Sequence, residues 1–386
     1  MAADKKDKVL NVPNLRFPEF KEEWHTSTID DVTSEFQSGK FIKADLIHSN
    51  GSVPVYGGNG LRGFTDTYNH IGDYVLIGRQ GALCGNIRFV TGETYITEHA
   101  IAVKGTENND TKYLQYLFER MNLGQYSDQS AQPGLAVSKL IKLKITIPQE
   151  REQSKIARFL TTIDERILTQ IRIIEDLRSL KVYIHNRVFS KGNTLFGQRN
   201  TIRLSDIATK ITRKNKGNTI NNVLSNSASM GIVPQTEVFD KEIANEDNTS
   251  NYYVIGGGDF VYNPRKSVQA PFGPINMYRG QAEGIISPLY LCFQVNDINK
   301  NYLLHYFMSN VWHSYIYSNG DTGVRHDRVS IKDETFLDMP LYIHTVDKQQ
   351  EIAKMMDQVD EKIALEEMYL AQLQKQKGYL LAAMFV

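Results

Sequence analysis

The second half of this chain restates its first, and that internal repeat constrains the fold more tightly than any other feature. Ile163-Asp164-Glu165-Arg166-Ile167 recurs 196 positions later as Val359-Asp360-Glu361-Lys362-Ile363. At the same offset Gln153 meets Gln349, Leu177 meets Leu373, Lys181 meets Lys377, Tyr183 meets Tyr379 and Phe189 meets Phe385. A register held over about 37 residues admits no insertion, which is how a continuous helix behaves. Upstream the offset shrinks, as it does where loops differ in length. Tyr113-Leu114 pairs with Tyr302-Leu303, Phe118 with Phe307 and Gly134 with Gly323 at 189, and Gly72-Asp73-Tyr74-Val75 pairs with Gly258-Asp259-Phe260-Val261 at 186. Each unit is therefore a variable domain followed by a long helix of fixed register.

In the helical segments apolar residues fall in alternating steps of three and four. The first carries Ile156, Leu160, Ile163, Ile167, Ile174 and Leu177, the second Ile352, Met356, Val359, Ile363, Leu370 and Leu373. Forty residues of helix make a rod of roughly 60 Å. A seam sustained for that length, with charges off it, predicts a two-helix coiled coil whose pairing residues are Ile156, Ile163, Ile167 and Ile174 on one helix and Ile352, Val359, Ile363 and Leu370 on the other. Because each helix follows its domain, an antiparallel intramolecular pair puts the domains at opposite ends, related by a pseudo-two-fold.

The domains read as short strands broken by glycine and proline, for example 74–77, 86–90 and 101–104, with one helix each, 111–121 and 301–312. Strands at 144–147 and 340–343 lead into the long helices. The expected division is a tail over 1–14, a first domain over 15–148, the first helix over 149–190, a linker over 191–199, a second domain over 200–345 and the second helix over 346–386. The fold class is α+β: two tandem α/β domains separated by two long antiparallel helices that form a coiled coil.

Composition bounds the function. Equal numbers of acidic and basic residues, 44 each, argue against a protein that coats nucleic acid indiscriminately, and leave room for small basic faces. The absence of an apolar run of membrane-span length points to a cytoplasmic chain with no membrane partner. Cys84 and Cys292, far apart in apolar runs, read as buried thiols and argue against a disulfide framework or a four-ligand zinc site.

No motif assembles a catalytic centre. Gly58-Asn59-Gly60-Leu61-Arg62-Gly63 matches a dinucleotide fingerprint, but it runs on into Phe64-Thr65-Asp66 and not into a helix. Tyr262-Asn263-Pro264-Arg265 begins like an amino-methyltransferase motif and lacks its second proline and aromatic. Glu98-His99 and His326-Asp327 stand alone, without a nucleophile elbow or metal-ligand spacing. A binding protein is the better reading, with neither catalytic nor metal residues and no cofactor of its own. What the loops do carry is Arg, Lys, Asn and Gln, whose donors and acceptors match base edges in the major groove. These are Gln37, Lys40, Lys43, Asn59, Arg62, Arg79 and Gln80 in the first domain, and Arg213, Lys214, Lys216, Arg265, Lys266, Gln269, Arg325 and Arg328 in the second, with the amides Asn215 and Asn226 beside them.

This architecture resembles the specificity subunit of Type I restriction-modification systems. The stretch Val12-Pro13-Asn14-Leu15-Arg16-Phe17-Pro18-Glu19-Phe20 with Trp24 is similar to the amino-terminal signature of many such subunits. Val55-Tyr56-Gly57-Gly58-Asn59-Gly60-Leu61-Arg62-Gly63, followed by Tyr74-Val75-Leu76-Ile77-Gly78-Arg79-Gln80-Gly81, is similar to a common class of their target-recognition domains. Arg178-Ser179-Leu180-Lys181 and Leu373-Gln374-Lys375-Gln376-Lys377 resemble the ends of their helices. The resemblance implies a non-catalytic chain that binds double-stranded DNA, each domain reading one half of a bipartite asymmetric site. It also implies two modification subunits that methylate adenine with S-adenosylmethionine and, in systems that cut, restriction subunits that use ATP and magnesium. Two other readings stand beside it: a two-headed adaptor that binds proteins, and a self-sufficient hydrolase built on His99 or His326.

Overall fold

The structure is a computed structural model that describes residues 11–81, 83–127, 134–193, 195–238, 246–321 and 327–386. The chain divides into two compact units, one formed by residues 1–171 with 368–386 and the other by residues 172–367.

Among the described residues of the first unit ten strands follow one another: β1 (His25–Thr28), β2 (Thr33–Ser38), β3 (Val53–Gly57), β4 (Gly60–Thr65), β5 (His70–Ile71), β6 (Tyr74–Gly78), β7 (Ile87–Val90), β8 (Glu93–Ile96), β9 (Ala100–Gly105) and β10 (Lys144–Ile147). They make a sheet of order β2-β9-β6-β7, a second of order β4-β3-β8-β5 and the separate pair β1-β10. All neighbours are antiparallel except β3 and β8. Side chains alternate between two cores, as strand geometry requires. Val75, Ile77, Ile101 and Val103 face the helices, whereas Tyr74, Leu76, Ala100 and Ala102 face the other sheet.

The second unit repeats the plan with β11 (Arg199–Arg203), β12 (Ala208–Lys210), β13 (Val223–Ser227), β14 (Gly231–Pro234), β15 (Tyr253–Ile255), β16 (Phe260–Tyr262), β17 (Ile275–Met277), β18 (Gly284–Ile286), β19 (Leu291–Val295) and β20 (Pro340–His344). The orders β12-β19-β16-β17 and β14-β13-β18-β15, with β13 and β18 parallel, match the first unit strand for strand. One detail corrects the sequence pairing. Phe260 and Tyr262 face the helices and Val261 faces the second sheet, so the equivalent of Val75 is Phe260 and not Val261. The structural offset there is 185, the same that separates Gln80 from Arg265, and a bulge lies beside it: Gly258 N–H donates to Tyr278 O while Tyr278 N–H donates to Asp259 O, both at 2.8 Å, so two residues oppose one. A one-residue slip in the pairing exchanges the two faces of a strand.

Helix Thr111–Met121 has the expected bounds, capped by Asp110, whose side chain accepts the Tyr113 N–H. Its counterpart is shorter than expected. It runs Lys300–Met308, and a separate helix covers His313–Asn319, because Ser309 ends the first in extended backbone with its hydroxyl turned back to the Tyr306 carbonyl.

The long helices run Glu150–Phe189 and Val346–Ala383, and each contributes to both units. In the first unit Ile156, Leu160 and Ile163 share a core with Leu380, Met384 and Phe385 from the far end of the other helix, and Ile167 packs at its edge. In the second unit Ile352, Ala353 and Met356 share a core with Val188 and Phe189. There the helices are antiparallel, since Arg178 contacts Glu367 at 2.6 Å and Lys181 contacts Asp360 at 2.5 Å. Ile174 and Ile363 are buried, while Val359 and Leu370 are half-buried. Seam residues thus meet domain residues as well as the opposite helix.

The repeat-matched residues meet crosswise. Lys377 pairs with Asp164 at 2.8 Å in the first unit, and their counterparts Lys181 and Asp360 pair in the second. Phe385 stacks on Tyr113 in one, and Phe189 meets Tyr302 edge-on in the other, both with ring centres 5.3 Å apart. Gln153 and Gln349 are both buried. Gln153 accepts the Asp110 N–H and donates to Pro148 O, while Gln349 accepts the Asn299 N–H and donates to His344 O. These amides lash each domain helix to the strand end that launches a long helix.

Candidate nucleic-acid interface

In the first domain the loop ends close on one another through glycine. A Cβ on Gly58 would lie 2.6 Å from His99 O, and one on Gly78 would lie 2.6 Å from both Gly58 O and Leu83 O. The β3–β4 turn, the end of β6, the loop after it and the segment before β9 are therefore at backbone contact, which no side chain allows. Arg79 is gripped by its main chain. Its N–H donates to His99 O at 2.9 Å, and its carbonyl accepts from Leu135 N–H at 2.9 Å and the Cys84 thiol at 3.3 Å. Its guanidinium makes no ion pair among the described residues. Cys84 is half-buried, and burial raises its thiol pKa.

Around this knot stand most of the expected residues. Gln80 is exposed, its Oε1 3.0 Å from His99 Nδ1, and His99 Nε2 lies 3.3 Å from Glu98. Asn59 is exposed at the hairpin tip, and Lys40 is exposed where its N–H meets Ile96 O at 3.0 Å. Lys43 is exposed further along the same segment, at the start of the turn Ala44–Leu46. Gln37 belongs elsewhere: it lies on β2 and donates to Glu35 at 2.8 Å. Burial alone would raise the Glu35 carboxyl, but hydrogen bonds from Gln37 and Tyr74 and the nearby His70 hold it below the usual range. The Tyr74 hydroxyl is pushed up to about 12 by burial and then by Glu35.

Two arginines brace the hairpin turn. A Cβ on Gly57 would meet Arg62 Cδ at 2.9 Å, so the Arg62 stem lies across that glycine. A Cβ on Gly60, where φ is +106°, would meet Arg88 Nη2, Cζ and Nε at 2.9, 3.3 and 3.4 Å, so the Arg88 guanidinium lies against that glycine. Arg88 was not among the residues expected from sequence. It sits on the edge strand β7, and only the sheet stacking shows that it reaches the turn.

In the second domain the same junction is held by amides. Asn263 Nδ2 donates to Asn226 O, Asn226 Nδ2 to Val261 O, and Asn276 Nδ2 to Asn226 Oδ1, at 2.9, 2.8 and 2.7 Å. Asn226 is 2% exposed, which corrects its reading as a base-contacting amide. Asn215 is corrected likewise, being buried and spent on both backbone groups of Ile220. Arg265 and Gln269 are exposed on the loop after β16. That loop is tied to Arg328 by an Arg265–Arg328 bridge and by Lys266 N–H donating to Asp327 O at 2.8 Å. Arg328 Nη2 lies 3.4 Å from Asp327. Arg213, Lys214 and Lys216 occupy another loop, between β12 and β13, where Arg213 pairs with Glu283 and Lys214 lies 3.4 Å from Asn251. Arg325 and His326 lie outside the described residues.

The two loops after β6 and β16 correspond. Gln80 bridges Gly134 while Leu135 N–H donates to Arg79 O, and Arg265 bridges Arg328 while Val329 N–H donates to Pro264 O. Gln80 and Arg265 therefore hold equivalent positions. Among the described residues no three His, Cys, Asp or Glu side chains are grouped to hold a metal, and no helix is long and apolar enough to cross a membrane.

Comparison with known proteins agrees with this geometry. A stretch of 154 residues is 38% identical to the Type I restriction enzyme EcoprrI specificity subunit of Escherichia coli, covering 39% of this chain and 38% of that protein. The alignment thus spans well under half of that curated relative. Among solved structures, the Type I restriction-modification S subunit from M. genitalium superimposes with a TM-score of 0.59 at 16% identity, over 97% of this chain and 99% of that one. A chain from a study of complex assembly and conformational transition of the type I R-M system gives 0.56 at 14% identity, over 94% and 97%. At those identities the likeness shows the fold alone. The family model described as Type I restriction modification DNA specificity domain matches twice, at residues 21–177 and 199–375, and with two such matches over most of its length the chain belongs to that family.

Proposed function

We propose that this chain is the DNA-reading subunit of a Type I restriction-modification complex, and that each domain reads one half of a bipartite asymmetric site. The observation that carries this is the duplicated tip. The same strand plan ends in corresponding loops, and these present Asn59, Arg62, Arg79 and Gln80 in one domain and Arg265 and Gln269 in the other. Different side chains on one scaffold read different bases, so the two half-sites differ. Lys40, Lys43, Lys214 and Lys216 suit phosphate contacts, which position without specifying.

The long helices carry the partner contacts in this reading. They leave Leu168, Val182 and Tyr183 exposed on the first, and Leu365, Met368 and Tyr369 on the second, more apolar surface than a helix pair alone needs. Two modification subunits dock there, bringing S-adenosylmethionine and the methyl transfer to adenine. Restriction subunits, where present, bring ATP and magnesium, and the complex works on DNA in the cytoplasm. The chain itself recognises and positions. Co-expressing it with its modification partner and mapping methylated adenines across the host genome tests this: a two-part motif with a fixed spacer is expected. Methyl transfer by the purified chain without a partner would contradict it.

A further inference from the structure

We propose that Arg88, acting with Arg62 across the β3–β4 turn, is a specificity-determining residue of the first domain that reads the acceptor edge of guanine; this rests on the reading of that domain as a DNA-recognition module. Arg88 lies on β7 opposite Leu76, on the face turned toward the second sheet. Its side chain crosses from the edge of one sheet to the hairpin of the other and comes to rest with its guanidinium against Gly60. The positive φ of Gly60 and the absence of a Cβ there leave the room that the guanidinium occupies. The stem of Arg62 lies across Gly57, so the two arginines rest on the glycines that bracket the exposed tip residue Asn59, Arg88 by its guanidinium and Arg62 by its methylenes.

Both arginines are exposed, and neither guanidinium forms an ion pair or hydrogen bond among the described residues. That differs from Arg16, Arg178, Arg203 and Arg213, each of which contacts a carboxylate. A braced fork with no internal acceptor suits a planar external one, and in DNA that is guanine O6 and N7 or a phosphate. The neighbours favour the base. Leu61 and Leu83 are exposed apolar side chains close to the tip, where they would strip water from a phosphate but can meet base edges and thymine methyl groups. Asn59 and Gln80 add amides that match adenine.

The test uses the complete complex, with Arg88→Ala and Arg88→Lys assembled beside the unaltered chain and the genomic methylation motif read out in each. Binding to duplexes carrying single substitutions across the motif, over a range of salt, supplies the second readout. Arg88→Ala is expected to lower discrimination at one guanine-containing position of one half-site by roughly 5- to 150-fold, leaving the other half-site and the salt slope unchanged. Arg88→Lys, which keeps the charge and loses the fork, is expected to do nearly the same. Equal weakening on every sequence with a shallower salt slope would show a phosphate contact and overturn the proposal, as would an unchanged motif in both variants. The underlying reading fails separately: exchanging the whole first domain would then leave the motif untouched.

Discussion

At the residue scale, the tips show how similar side chains divide between scaffold and reader. Asn59 and Asn226 are both amides near the end of a hairpin strand, yet Asn59 is exposed and Asn226 is buried with its amide committed to Val261 and Asn276. Asn226→Ala is expected to cost about 1–3 kcal/mol, because it strands buried partners, and a denaturation midpoint measures it. Asn59→Ala should leave that midpoint nearly unchanged. For function, Arg79→Ala is expected to relax one position in one half-site and Arg265→Ala one position in the other, each by about 1–3 kcal/mol, read from binding to substituted duplexes. Sequence alone could nominate the loop arginines because their donors match base edges. It could not separate Asn226 from Asn59, since burial depends on which sheet closes over a loop. Nor could it find Arg88, whose guanidinium rests against a glycine 28 positions away.

At the element scale the long helices were legible because a three-and-four periodicity and an unbroken repeat register have one common explanation. What the pattern could not show is that one seam serves two partners. Ile163 lies in a core with the first domain and with Leu380 of the opposite helix, so Ile163→Asp is expected to cost several kcal/mol and to abolish assembly with modification subunits, measured by size exclusion of the co-expressed proteins. The strand pairing drawn at β16 is one residue out because Gly258-Asp259 repeats the letters of Gly72-Asp73, whereas the structure matches Val75 to Phe260 and Gln80 to Arg265, both at an offset of 185. The helix junction of the second unit also predicts a pH response. His185, with Nδ1 donating to Lys181 O and Nε2 3.0 Å from His305, and His344, against Tyr302, are both pulled down to about 4 by burial. An unfolded histidine titrates near 6.5, so between about 6.5 and 4 the unfolded chain binds more protons than the folded one. Stability contributed by the neutral rings is present above that window and is lost as pH falls through it. Thermal melts should show the transition falling by the equivalent of about 1–3 kcal/mol from pH 7.5 to 5, and His185→Gln should flatten that dependence.

At the scale of the whole molecule, duplication fits the proposed role, because a reader of two half-sites needs two domains. On the proposed reading one domain reads a few base pairs, and two read an asymmetric site, provided that each works on its own half. The unit plan supports such independence, since each domain has its own sheets, its own tip and its own core with the helices. The central claim is that residues 15–148 carry one half of the specificity and nothing of the other. The direct measurement is to place residues 15–148 in a specificity subunit of known target, assemble it with its modification subunits and sequence the methylated adenines. A hybrid motif is predicted, with one half replaced, the other unchanged and the spacer kept. A motif altered in both halves, or not at all, would contradict reading by independent domains and favour a shared surface that senses DNA shape.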